Sequence, residues 1–182
     1  MYFENKEEIA GLLVLNSMQK LCGYIASALE QQETTKMRYD CICRGLVRYQ
    51  EEYPFYFKMV LDKINIDFES WDSLPKERET CRVGEEINEK IKDFLISGME
   101  QGDLRSDLKI MPAIFQFWGM LSGLIQLAAK EEDYIKNAMG LSKSQFLESG
   151  FHMLYRSIEA RKKPYAAAQQ MQNAAKAGVH KD

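Results

Sequence analysis

Apolar residues recur at helical spacing from Ile9 to Ile158, and no stretch alternates apolar and polar long enough to pair as a strand. The pattern predicts an all-α chain. Its first helix is expected from Lys6 to about Gln31, with Asn5 as cap and Glu8 three positions later completing an N-x-x-E box. At about 100° per residue, Ile9, Leu12 and Leu13 form one apolar patch. Val14, Met18, Leu21, Cys22, Ile25 and Leu29 form a stripe on roughly the opposite side. A helix apolar on one side early and on the other later joins two packed bodies. The rest of the chain can bury the later stripe, whereas the early patch has no obvious partner. Tyr2-Phe3 stands ahead of the cap and reads as the end of an upstream unit.

A second helix follows Thr34-Thr35 and runs to about Glu52, with Tyr39, Ile42, Cys43, Leu46 and Val47 as its stripe. Pro54 restarts the chain into a short aromatic helix, since proline suits the first helical turn. Residues 65–76, with Trp71 and Pro75, are expected as a loop. A long helix then spans about Glu77 to Gln101, stops at Gly102, and gives way to a connector over Asp103–Asp107. Met111 to about Lys130 is apolar on more than one side. One face holds Phe117, Met120, Leu121, Leu124 and Ala128; the other holds Phe115, Gly119, Ser122, Gly123 and Gln126, with Trp118 at its edge. After a short helix near Asp133–Ala138, Ser142 and Gln145 form an S-x-x-Q capping box for a final helix reaching about Lys163. There Leu147, Phe151, Leu154 and Ile158 suit the chain's own core, while Phe146, Gly150, Met153 and Ser157 line an adjacent face. Two neighbouring helices with surplus semi-apolar, small-residue faces predict a two-fold, four-helix dimer interface. The alternative is a monomer with a thick core, in which those small residues serve packing within the chain. From Pro164 onward little can be buried, so a frayed or disordered tail is expected.

Composition narrows the function. With 46% hydrophobic and 28% charged residues, the 182-residue chain falls in the soluble globular range. No apolar run reaches the roughly 18 residues of a membrane span, and Glu4, Lys6, Glu7 and Glu8 follow Met1 where a secretory signal would be basic and then apolar. The expected compartment is the cytoplasm, with no membrane partner. A net charge of −3 argues against a stand-alone nucleic-acid binder. The short Arg161-Lys162-Lys163 run answers a helix C-terminus more simply than it makes a binding patch. Cys22, Cys41, Cys43 and Cys81 read as buried reduced thiols. Cys41 and Cys43 diverge by about 200° on a helix, and two histidines supply no zinc spacing. No cofactor and no metal are expected. Without a glycine-rich phosphate loop or a nucleophile–base pair, an enzyme has little support.

Three segments carry a family resemblance. Tyr2-Phe3-Glu4-Asn5-Lys6-Glu7-Glu8 resembles the junction of TetR/AcrR-family transcriptional regulators, where the recognition helix ends in an aromatic pair and the connecting helix begins. Gly98 to Asp107 resembles the end of that family's long sensor-domain helix and its following turn. Trp118 to Leu127 resembles its first dimer helix. The resemblance spans roughly residues 2 to 160, and it departs from the family where most of the helix-turn-helix domain should precede Tyr2. It implies a stub of recognition helix at 1–5, a ligand-sensing and dimerisation domain at 6–163, and a tail at 164–182. It also implies that Lys6, and less directly Tyr2, match positions near backbone phosphate at a helix N-terminus. In the isolated chain Lys6 reads more simply as a solvated first-turn lysine and Tyr2 as a frayed terminus.

The mechanism implied is allosteric: a small, apolar effector enters the sensor domain, the connecting helix pivots, and a homodimer releases operator DNA. Operator binding would require the missing N-terminal domain. Tyr39, Cys43, Phe57, Phe94, Phe117, Met120 and Leu121 are the expected cavity lining, with simple core filling as the competing role. The expected dimer face comprises Phe115, Trp118, Gly119, Ser122, Gly123, Gln126, Phe146, Gly150, Met153 and Ser157. The rival function is a stand-alone helical dimer that acts as an interaction protein without touching DNA.

Overall fold

In the computed structural model the chain is described over residues 6–30, 34–63 and 75–160. Its helices are α1 (Lys6–Glu30), α2 (Thr35–Glu52), α3 (Pro54–Lys63), α4 (Pro75–Glu100), α5 (Ile110–Lys130), α6 (Glu132–Met139) and α7 (Lys143–Ile158). Tyr2, the Asn5 cap, Trp71 and the tail beyond Ala160 lie outside the described residues.

Local chemistry accounts for the boundaries. The Thr34 hydroxyl accepts from Met37 N at 3.2 Å and starts α2. Pro54 and Pro75 open α3 and α4, where a missing N–H costs nothing. Ser142 and Gln145 form the reciprocal capping box expected of them. At the end of α4, Asp103 N donates to Gly98 O and Gly102 N to Met99 O, the Schellman pattern, with Gly102 at φ 75°. Only a residue without Cβ adopts that backbone at no steric cost. The final helix stops at Ile158 rather than near Lys163. Glu159 leaves the helix in an extended conformation, and Ala160 N donates to Asp103 O at 2.8 Å. Pairing with the α4–α5 connector ends α7 early, a long-range contact that helical periodicity does not carry.

Helix α1 is central, with α4 and α2 packed most extensively on it and α3 on a further side. Val14, Leu21, Cys22 and Ile25 are buried, as the later stripe predicts. The early patch is partly open: Ile9 is 40% exposed, and Leu12 and Leu13 are half-buried. Helices α5 and α7 pack on each other and on α2, and α6 closes their far end. Averaged over a window, α1 from Glu8 and the whole of α5 are apolar enough to cross a membrane by length and composition. Val14, Leu21 and Ile25 of α1 and Ile114, Leu121 and Ile125 of α5 are buried among other helices, whereas Ile9 of α1 and Met111, Phe115 and Leu127 of α5 are exposed.

Two buried phenols tie the layers together. The Tyr49 hydroxyl donates to Ser17 O on α1, and the Tyr39 hydroxyl donates to Phe151 O on α7, both at 2.9 Å. Burial is the first cause that pushes these phenols up, and it pushes Tyr155 up from the ordinary 10 to about 12. A phenol that holds its proton more tightly when folded contributes stability fully below pH 10, and that contribution is lost as pH rises through the folded value. Chemical-denaturation stability is therefore expected to fall between about pH 10 and 12, and to fall less steeply in Tyr155→Phe. Equal slopes in the two proteins would count against this linkage.

Of the four free cysteines, Cys22 and Cys43 are buried, and burial pushes the Cys43 thiol up to about 12. Cys41 and Cys81 are half-buried, which corrects the expectation of four buried thiols. Each lies beside its helix's apolar stripe rather than within it.

Candidate functional site

Two surfaces offer functional geometry. The first is a groove of about 320 Å³ where α1, α2 and α4 meet. Ala26 and Leu29 of α1 and Phe94 of α4 give it an apolar floor. Glu30, Arg38, Lys90 and Asp93 supply charge of both signs, and Ser97 adds a hydroxyl. Residues 90, 93, 94 and 97 follow the i, i+3, i+4, i+7 spacing of one helix face, so α4 presents all four together. It is an open groove on the surface of the bundle rather than an enclosed cavity. A second depression of about 390 Å³ lies between α1 and α3, lined by Asn16, Gln19, Lys20 and Tyr56.

Only Phe94 of the seven expected lining residues borders either depression. Tyr39 and Phe117 meet between α2 and α5, and the Tyr39 hydroxyl reaches α7, while Leu121 is buried on α5. Phe117 meets the Tyr39 ring edge-on at 6.1 Å, and Cys43 lies one turn beyond Tyr39 with no exposed surface. Phe57 packs elsewhere, 6.0 Å from Tyr49. Met120 is 41% exposed on the outer side of α5. In this conformation the core-filling role describes Tyr39, Cys43, Phe57 and Leu121, all buried. Arg38, Lys90, Asp93 and Ser97 were not anticipated. The α4 spacing was readable, but the approach of Arg38 from another helix was not.

The second surface is the outer side of α5 and α7. Phe115 is 54% exposed and Met153 67%, with Gly119, Gly123 and Ser157 also exposed. Met111 and Leu127 extend the exposed apolar strip along α5, a contribution the sequence reading omitted. A Cβ added at Gly119 or Gly123 would meet nothing within 4 Å, so both positions leave open space for an approaching helix. Trp118, Gln126 and Phe146 are half-buried at the margin. Ser122 is buried, and its hydroxyl donates to Trp118 O at 2.6 Å. Gly150 has a different role from Gly119: a Cβ there would lie 2.4 Å from Leu124 Cδ2. Its smallness serves the approach of α7 to α5 within the chain, the alternative open to these small residues.

Lys6 is the first residue of α1, with its side chain outside the described set, as is Tyr2. Among the described residues no group of three or more His, Cys, Asp or Glu is placed to hold a metal ion.

The helix order and packing define an all-α fold, that of TetR-family transcriptional regulators. SCO3833, a member of that family from Streptomyces coelicolor A3, superposes with a TM-score of 0.63 and 16% identity, over 85% of this chain and 71% of that one. The TetR-family regulator PfmR from Thermus thermophilus superposes with a TM-score of 0.61 and 21% identity, over 85% and 77%. A protein with unknown function from Rhodococcus sp. RHA1 superposes with a TM-score of 0.69 and 11% identity, over 87% and 77%. No family model and no curated protein matches the sequence.

Proposed function

We propose that this chain is the effector-sensing and dimerisation part of a TetR-like transcriptional regulator, not an enzyme, working in the cytoplasm. The observation that carries the reading is the exposed apolar side of α5 and α7, centred on Phe115 and Met153, in a chain with the regulator fold. An exposed apolar strip suits a partner surface, and a self-complementary helix pair suits a two-fold homodimer. The effector is a small, mainly apolar molecule lying on Leu29 and Phe94, with the charged rim of the groove orienting any polar end. Operator contact would require a reading domain ahead of α1, for which the partly open Ile9, Leu12 and Leu13 offer a seat. Effector binding would then act on DNA release through α1, which borders both the groove and that seat.

The experiment is a thermal-shift screen of small apolar compounds against wild type and Ser97→Trp, which fills the groove. A compound present at about 100 times its Kd should stabilise the wild type by roughly 2.7 kcal/mol. It should leave Ser97→Trp unmoved. A shift that persists in Ser97→Trp would place the site elsewhere, and a screen without stabilisers would leave the sensor reading unsupported.

A further inference from the structure

The groove wall and the end of α7 are joined by an unusually tight set of contacts. Ser97 lines the groove, and its hydroxyl accepts from Gln101 Nε2 at 3.0 Å. The next residue, Gly98, has no room around it: a Cβ there would lie 2.7 Å from Leu104 Cδ1 and 2.8 Å from Thr35 Cγ2. Leu104 and Thr35 are each only 1% exposed, so neither has solvent to retreat into. Gly98 O accepts from both Asp103 N and Leu104 N at 3.0 Å, which holds Leu104 against the helix end. On its other side the same segment pairs with α7. Arg105 N donates to Ile158 O at 2.9 Å, Ala160 N donates to Asp103 O at 2.8 Å, and the Arg105 guanidinium reaches Ser157 O at 3.3 Å. Two backbone bonds flank one buried side chain, and that side chain abuts a glycine with no slack.

We propose that this arrangement is a clamp that makes the last turn of α4, Leu104 and the end of α7 move as one unit. A displacement of α4 beside the groove is then handed to α7 instead of being absorbed in the connector. Close-packed interiors transmit such displacements because a contact already at van der Waals distance cannot shorten. Extended loops do absorb them, but Asp103, Leu104 and Arg105 hold this connector by backbone hydrogen bonds to α4 on one side and to the end of α7 on the other. The inference rests on reading the groove as the sensor site and α7 as an interface helix. It supplies the physical link between them, which a common fold does not by itself provide.

Amide hydrogen exchange on the full chain tests the clamp without a ligand, using Ser97→Trp as a permanent occupant of the groove. Exchange over residues 154–160 should change by about tenfold on this substitution, and the change should disappear when Leu104→Ala removes the contact with Gly98. Should Leu104→Ala fail to fold, Arg105→Pro removes the N–H that bonds Ile158 O and serves the same comparison; Lys90→Trp replaces Ser97→Trp on the same ground. Unchanged exchange at the end of α7 on filling the groove would overturn the coupling. So would a change that persists in full after the clamp is cut. Absence of any stabilising compound in the thermal-shift screen would instead bear on the sensor reading and leave this result standing.

Discussion

Gly119→Arg is expected to turn the proposed α5–α7 dimer into a well-folded monomer, whereas Gly150→Arg is expected to damage the fold itself. The two glycines look equivalent in the sequence, each a small residue on the surplus face of a late helix. A Cβ added at Gly119 would meet no side chain or other helix within 4 Å, so a long side chain there costs the isolated chain little. In a two-fold interface built on Phe115 and Met153 it would bring a guanidinium into an apolar, water-excluded seam on both sides. Burying a charge without a partner costs several kcal/mol, so dimer affinity should fall by at least about 100-fold. At Gly150 the first added carbon already collides with Leu124. Overpacking of that kind costs about 1–3 kcal/mol, which lowers Tm by roughly 2–12 °C for a chain of this size. Light scattering at matched concentrations reads the first effect and a thermal melt the second. A Gly119→Arg protein that remains a dimer with unchanged affinity would remove α5 from the interface.

The other large effect belongs to Gly98. Replacing it with alanine would ordinarily favour a helix by about 1 kcal/mol. Here the new methyl would lie within 2.8 Å of Leu104 and Thr35, both enclosed, so the sign reverses. Gly98→Ala should destabilise by about 1–2 kcal/mol, and Gly98→Val by about 3 kcal/mol. Cutting Leu104 back to alanine costs about 2–5 kcal/mol alone, by leaving a cavity. The double variant Gly98→Ala/Leu104→Ala should be more stable than the sum of the two single losses predicts, by about 1 kcal/mol, because the added methyl occupies part of that cavity. Urea titrations of the four proteins give the cycle, and strict additivity would show that Leu104 is not the obstruction.

Element by element, the helices were legible because their signals are local. Thr34, Pro54, Gly102 and the Ser142–Gln145 pair each satisfy or release backbone groups within a few residues. The resemblance over the junction, the sensor-domain turn and the first dimer helix likewise pointed to the fold that the solved structures share. The candidate site was less legible. Tyr39, Cys43 and Leu121 have the composition of an adaptable pocket, but composition does not distinguish a pocket from a filled core. Tyr39 makes the difference plain, since its hydroxyl is already occupied by Phe151 O and its ring by Phe117 and Tyr155. Met120 has the spacing of an inward residue only if the helix is rotated from the orientation its neighbours impose.

The sequence by itself determined that the chain is all-α, where most helices begin and end, and which faces had to be covered. Each of those follows from periodicity, caps and the cost of exposing apolar surface, all of which act over one or two turns. Tertiary structure alone decided that Gly150 serves α5 within the chain while Gly119 stays open, and that Arg38 joins Lys90 and Asp93 at a groove. It also decided that α7 ends at Ile158, where Asp103 and Arg105 take up its backbone. These are distances between residues far apart in the chain, and they depend on helix rotation and separation, which no local pattern encodes.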